Sequence, residues 1–303
     1  MSYQSLIQDT LGVVPASDVN TQVKFLSWVA NLTFPVLFSS EREARPFKVY
    51  ETQTRANCSL CLASLSNRTS TAVVDGMEWL PAGWPIKSNH GISYPADHRA
   101  SIFEEDIRTL GEFVDRAGDA VACINLRGSG ASVPEHFHAQ LHDTALPVSG
   151  EADRRTMAFP LLTCAREIIG DHGQLMLYRL PAYPAFALVL QGPWELLGHW
   201  MVAYLCAANI RPHNFALAAG GQLIVIPRGL EKAPDQENRY GASEMLGLIT
   251  PVTHDSFVAI RDAEVVCKSL RLCGVSDSRE QLAIEEHALW GMEYICHERD
   301  RHR

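Results

Sequence analysis

The densest run of reactive side chains lies at residues 125–142: Asn125-Leu126-Arg127-Gly128-Ser129-Gly130-Ala131-Ser132-Val133-Pro134-Glu135-His136-Phe137-His138-Ala139-Gln140-Leu141-His142. A Gly/Ser-rich turn feeds a segment in which polar residues recur at every second position. Extended backbone alternates its side chains, so a strand puts His136, His138, Gln140 and His142 on one face. Phe137, Ala139 and Leu141 then face a core. The competing reading is a solvated edge strand that is merely His-rich. Neutral imidazole is a competent nucleophile toward phosphorus. Attack on the inner phosphate of a nucleotide expels a phosphate or sugar phosphate that is already a stable anion. Positioning and donors for the phosphoryl oxygens therefore matter more than a strong acid. The backbone around Gly128, Ser129 and Gly130, the hydroxyls of Ser129 and Ser132 and the Gln140 amide offer such donors, with Arg127 or Lys87 to neutralise charge.

A second set of residues fits a metal. Cys58 and Cys61 form a Cys-x-x-Cys knuckle, which alone is ambiguous between zinc, redox chemistry and chance. With His98 and His136 they supply two sulfurs and two imidazoles, a common tetrahedral Zn2+ set. The bland alternative is a pair of core thiols and a surface histidine.

These residues need elements to position them. The spacing of Leu6, Leu11, Val23, Leu26, Val29 and Leu32 predicts helix over 1–32. Residues 47–52 alternate as a strand leading into the knuckle, and 64–71 read as an exposed loop. A short strand closed by Pro95 follows Trp84. A helix starts at Ser101, with Glu104 completing a capping box, a stripe of Ile102, Phe103, Ile107, Leu110, Phe113 and Val114, and Gly118 as its stop. Residues 121–126 are a core strand leading into the Gly/Ser loop. After a bend at 149–155, helix is expected over 160–169 and strands over 176–180 and 185–190. Gly192-Pro193 opens a long apolar helix reaching about Cys206. Residues 214–218 and 222–228 bracket Ala219-Gly220-Gly221 as a hairpin. A C-terminal helix runs from Ser278 to about Ile295. The second half is thus a coarse echo of the first without a second His-x-His.

Composition sets the class. In 303 residues, 47% hydrophobic content supports a real core and a formal net charge of −9 argues against a nucleic-acid polymer or an anionic membrane as partner. The longest apolar stretch, 186–210, is interrupted by Gln191, Glu195 and His199 and does not read as a span. Eight cysteines without an N-terminal signal suit a reducing compartment, so the expected address is cytoplasmic.

At this point His136-Phe137-His138-Ala139-Gln140 resembles the His-x-His-x-Gln signature of the histidine-triad (HIT) superfamily's transferase branch. That branch holds galactose-1-phosphate uridylyltransferase (GalT), diadenosine-tetraphosphate phosphorylase and the GDP-hexose phosphorylases. Asn125 through Gln140 is similar to the family's Asn, Gly/Ser loop, Pro, His-x-His-x-Gln run. Pro95-Ala96-Asp97-His98 resembles a Pro-x-x-His whose histidine binds zinc with a Cys-x-x-Cys pair and the first signature histidine, which maps to Cys58, Cys61, His98 and His136. Residues 214–228 look like a phosphorylase segment ending in Pro-Arg or Pro-Gln, and Glu244-Met245-Leu246-Gly247 is faintly similar to a stretch of the GDP-hexose enzymes. The resemblance spans roughly residues 50–250.

It implies an α+β fold, a HIT-like antiparallel sheet with flanking helices, with two HIT-like repeats forming one GalT-like unit. Residues 1–150 would hold N-terminal helices and the catalytic half with its zinc, and 151–303 the second half. His138 would carry a nucleoside monophosphate, Gln140 would bond its oxygens, and Asn89 would sit near the nucleoside. The substrate would be a nucleoside diphosphate sugar or dinucleoside polyphosphate, the acceptor phosphate or a sugar phosphate, and a homodimer is among the expected assemblies. Departures are Glu135, the serine four rather than three residues before His136, and His142, for which a surface or supporting role is expected. The other readings are hydrolysis of similar substrates and a zinc-stabilised nucleotide-binding module without turnover.

Overall fold

The computed structural model describes residues 2, 3, 5, 6, 21–43, 54–65, 72–74, 76–87, 89–146, 156–207, 212–234 and 239–301. Its strands are β1 (Thr21–Ser27), β2 (Thr33–Ser39), β3 (Ala72–Val74), β4 (Met77–Pro81), β5 (Gly91–Pro95), β6 (Ala120–Asn125), β7 (Ala139–Asp143), β8 (Ala145–Leu146), β9 (Thr156–Met157), β10 (Glu167–His172), β11 (Leu175–Arg179), β12 (Leu188–Gln191), β13 (His213–Ala218) and β14 (Gln222–Pro227). Its α-helices are α1 (Ser40–Glu43), α2 (Ser59–Leu65), α3 (Glu104–Ala117), α4 (Trp194–Ala207), α5 (Ala242–Met245), α6 (His254–Ala259), α7 (Ala263–Cys273) and α8 (Ser278–Arg301).

β6 and β13 are buried at every position and mostly apolar, with Asn125, His213 and Asn214 as their polar residues. Strands without a solvent face belong at the centre of a sheet covered on both sides. They pair with each other at the middle of a ten-stranded antiparallel sheet of order β10-β11-β12-β14-β13-β6-β7-β5-β4-β3. Read outward from the seam, β6-β7-β5-β4-β3 and β13-β14-β12-β11-β10 have the same connectivity, and each half inserts a 14-residue helix, α3 or α4, at the same point. The expected mixed α+β fold with a large antiparallel sheet and flanking helices is what the chain adopts.

α3 and α4 pack against each other. They approach closely because Gly111 and Gly198 carry no side chain: a Cβ at Gly111 would lie 2.1 Å from the Trp194 ring, and one at Gly198 2.8 Å from the Glu104 carbonyl oxygen. Leu110, Phe113, Leu197, Trp200 and Met292 cover one sheet face over Ala122, Ile124, Phe215 and Leu217. The opposite face, with Val121, Cys123, Ala216 and Ile224, is covered by Phe34 and Val36 of β2, Phe159, Met245 and residues of α7. The polar face of β7 belongs to this second side.

Several elements differ from expectation. Residues 21–27 form no helix: β1 pairs with β2 over Thr21–Ser27, and only Val29–Asn31 takes a single 3₁₀ turn. The apolar positions Val23, Leu26 and Val29 do fall three apart, but the fully buried Phe34–Ser39 run offers a ladder that propensity alone does not reveal. Within 160–169, Pro160–Thr163 is a short 3₁₀ turn and Glu167 already starts the edge strand β10. The 101–117 helix begins at Glu104, not Ser101. Its start is satisfied by Asp106, whose Oδ2 accepts the Phe103 N–H at 2.7 Å, rather than by a Ser101–Glu104 box. The expected 47–52 strand, the 149–155 bend and most of the 64–71 loop lie outside the described residues, although residues 64 and 65 are in α2.

Candidate active site and metal centre

Cys58 precedes α2 and Cys61 sits in its first turn, while His98 follows β5 and His136 lies in the turn before β7. Their four ligand atoms lie within 4.8 Å of one another. Sγ of Cys58 is 3.4 Å from Nδ1 of His136, and Sγ of Cys61 is 3.5 Å from that nitrogen and 3.4 Å from Nδ1 of His98. Zinc–sulfur and zinc–nitrogen bond lengths imply a tetrahedral S···N edge of about 3.6 Å. The donors are therefore spaced as corners around an ion. Nε2–H of His136 donates to the Pro95 carbonyl at 2.9 Å, which turns Nδ1 toward the thiols and fixes the ring. Burial keeps the His136 imidazole below its ordinary range, so the ring is neutral and able to ligate. Burial and the adjacent Cys58 sulfur push the Cys61 thiol up to about 11, so ionising both thiols calls for a cation between them. Leu60, Leu80, Tyr94 and Val133 close an apolar shell around the corner. These four residues could hold a metal ion.

Two residues beyond His136, His138 is almost fully buried immediately before β7. The regular strand starts only at Ala139, yet the expected alternation holds: Phe137, Ala139 and Leu141 enter the helix-side core. Nδ1 of His138 lies 2.9 Å from the His136 carbonyl oxygen. A carbonyl only accepts, so Nδ1 carries the proton and the lone pair resides on Nε2. The peptide between the two histidines is itself clamped, because the Phe137 N–H donates to the Arg99 carbonyl at 2.6 Å. The Arg99 guanidinium forms a fork on Asp106 at 2.7 and 2.8 Å, the same carboxylate that starts α3. That clamp was not read from the sequence, where Arg99 and Asp106 look like ordinary charges beside a helix start.

The Gly/Ser loop is held from the other half of the sheet. Gly128 and Gly130 take positive φ of 77° and 89°, and a Cβ on Gly130 would meet the Tyr240 carbonyl oxygen at 2.6 Å. Asn214 Nδ2 donates to Asn125 Oδ1 and to the Ser129 carbonyl, each at 2.8 Å, and Asn125 Oδ1 also takes the Ala242 N–H at 2.6 Å. The Ser129 hydroxyl donates to the Leu126 carbonyl at 2.7 Å and the Gly130 N–H to Glu231 at 3.2 Å. Behind them sits Arg228, 1% exposed. It donates to Asn214 Oδ1 and to the carbonyls of Tyr240 (2.7 Å), Leu230 (2.7 Å), Glu231 (3.1 Å) and Cys273 (3.0 Å). Asn125, Ser129 and the Gly130 amide thus have internal partners, and Arg228 was missed as their anchor because every contact crosses the seam.

Of the remaining residues, Arg127 is exposed and ion-paired with Glu135, which accounts for that carboxylate beside the loop. Ser132 and Gln140 are half-buried. Asn89 takes a positive φ of 61° and donates to Asp143 at 3.3 Å, and the buried Lys87 pairs with the same carboxylate. His142 is not a surface group. It is fully buried, stacks on His90 with centroids 4.4 Å apart, and its Nε2 lies 3.2 Å from the Ser243 hydroxyl oxygen. Burial first, then His90, Lys87 and Arg42, hold its pKa well below the ordinary range.

No helix among the described residues is long and apolar enough to cross a membrane. No family model and no curated protein matches the sequence. Solved structures do match. Yeast Ap4A phosphorylase Apa2 aligns at 15% identity with a TM-score of 0.58, covering 90% of this chain and 94% of that chain. The same enzyme in complex with Ap4A gives 15% identity and 0.64 over 90% and 97%, and in complex with AMP 16% and 0.60 over 91% and 98%. The alignments cover nearly the whole of both chains, so the protein has the fold of an Ap4A phosphorylase.

Proposed function

We propose that the protein is a nucleotidyltransferase of the phosphorylase or uridylyltransferase type, working through His138 on a dinucleoside polyphosphate or a nucleoside diphosphate sugar. The observation that carries this is the tautomer of His138, set by the His136 carbonyl, which puts the nucleophilic lone pair on Nε2. Nε2 forms a bond to phosphorus as the bridging P–O bond breaks and its electron pair leaves on the departing phosphate. An acceptor oxygen from phosphate or a sugar phosphate then forms the new P–O bond, and the N–P pair returns to Nε2. Gln140 bonds the phosphoryl oxygens in this reading. Because Ser129 has already donated to Leu126, Ser132 is the serine that faces the phosphate. Asn125 and Gly130 shape the loop rather than touch the ligand. The fold match to an enzyme solved with Ap4A and with AMP supports a dinucleoside polyphosphate over a sugar nucleotide.

Zinc held by Cys58, Cys61, His98 and His136 would be structural, since four protein ligands leave no open position. It would fix His136, whose carbonyl orients His138. The test is to incubate the protein with Ap4A and with nucleoside diphosphate sugars and to seek an acid-labile nucleotidyl adduct on His138 by mass spectrometry. Discharge by phosphate or a sugar phosphate, but not by water, supports transfer. Turnover without any adduct removes the mechanism.

A further inference from the structure

The sheet is doubled but its histidine pair is not, and beside the second copy of the site position lies an arginine side chain. About a two-fold axis through the Cys123↔Ala216 pair at the seam, Ile124 maps onto Leu217. Their outer partners Ala139 and Leu223 then correspond, and the next residue toward the turn places Gln222 where the first half has His138. Continuing outward, Ser93 corresponds to Leu190 and Trp79 to Leu177, which puts Gln191 at the place of Tyr94 and Tyr178 at that of Leu80. Tyr94 and Leu80 line the metal corner.

Into this image of the corner projects Arg166, just before β10. Its guanidinium lies over the Tyr178 ring, 5.7 Å from the centroid, and Nη2 donates to Gln222 Oε1. The Tyr178 hydroxyl donates to Gln191 Oε1 at 3.4 Å, and Gln222 Nε2 donates to the Ala219 carbonyl at 2.8 Å. All four side chains are half-buried. Among the described residues Arg166 has no carboxylate partner, and burial lowers its pKa, with only the Tyr178 and Cys164 groups acting against that. Asp115, which touches the turn, is already taken by the Trp194 indole N–H and the Gly220 N–H. A partly desolvated guanidinium has five N–H donors in a planar fork, of which one is bonded here, and it gains most from a bidentate oxyanion.

We propose that Arg166, with Gln222, Tyr178 and Gln191, forms a second anion site that binds a phosphate group at the two-fold image of the His138 site. The site is independent of whether His138 forms an adduct. Inorganic phosphate and the phosphate of a mononucleotide share the required chemistry. The test follows the Arg166 Nε–H resonance of the full chain by NMR during separate titrations with inorganic phosphate, AMP, and chloride at matched ionic strength. Saturable shifts with inorganic phosphate alone assign the free ion, and saturable shifts with AMP assign a nucleotide phosphate. In either case Arg166→Gln should weaken the corresponding binding, followed through the Tyr178 ring signals, at least about tenfold while melting unchanged in the absence of anion. Arg166→Lys should recover part of it. No response to either phosphate, or the same response to chloride, overturns the proposal. The His138→Asn variant is titrated alongside, and its Arg166 shifts should be those of the parent.

Discussion

Replacing Arg228 with methionine tests how the Gly/Ser loop is held. The side chain is buried and donates to four carbonyl oxygens and to the Asn214 amide oxygen, with no direct carboxylate partner among the described residues. Methionine fills much of the volume but donates nothing. Each buried acceptor left dry costs about 1–3 kcal/mol. Two effects reduce the sum: water enters the vacated space, and a guanidinium whose charge burial disfavours is gone. The net expectation is a loss of about 3–5 kcal/mol, below the roughly 5–15 kcal/mol that five dry acceptors would sum to. That is a large share of the roughly 5–15 kcal/mol that holds a domain together. Arg228→Lys keeps three donors for five acceptors and should fall between, losing about 2 kcal/mol or more. Urea unfolding measures both through the midpoint at constant slope. If the methionine variant unfolds at the parent's midpoint, or lysine fully replaces arginine, the hub assigned to Arg228 does not hold the loop.

Other expectations follow from the site. His138→Asn should abolish the nucleotidyl adduct while metal content and melting temperature stay at parental values; a variant that still turns over would eliminate His138 as nucleophile. Cys58→Ser or prolonged chelation should release one zinc per chain and lower the melting temperature, because ligand binding energy here is folding energy; elemental analysis showing no zinc in the native protein would contradict the assignment. His142 is neutral in the folded state below the pH at which the unfolded ring, near pKa 6.5, takes a proton. Its folded pKa is depressed, so its contribution is complete above about 6.5 and is lost as pH falls, by up to about 1.4 kcal/mol per pH unit. Between pH 6.5 and 5 the unfolding midpoint of His142→Gln should therefore depend less on pH than the parent's, and parallel curves would refute this.

What the sequence disclosed was chemistry that is local or compositionally rare. Two cysteines with two residues between them, a Pro-x-x-His and a His-x-His announce themselves because few packing problems call for them, and Cys58, Cys61, His98 and His136 do converge. The β13–β14 hairpin was legible from Gly220-Gly221, whose φ values of 81° and 63° suit glycine. The support of the site was not legible. Asn125 invites a ligand-binding role until its partners are seen to be Asn214 and Ala242, 89 and 117 residues away. His142 looked peripheral because nothing in its neighbourhood foretells that Ser243 and His90 will enclose it. β1 imitated a helix because its apolar residues satisfy both periods, and only the partner strand decides between them.

The two halves differ most in the loop that joins their two innermost strands. β6 and β7 are joined by residues 126–138, long enough to lift His136 off the strand toward the thiols while returning His138 to the sheet face. β13 and β14 are joined by residues 219–221 alone, and a Cβ on Gly221 would lie 2.2 Å from the Gly192 carbonyl oxygen. So tight a turn has no chain left to bring ligands to a corner. Yet the helix-side core runs across the seam through Ile124, Phe215, Leu217 and Leu141, one layer built from both halves. The second half is therefore retained by the first half's need for a covered central strand and for the Asn214–Arg228 brace.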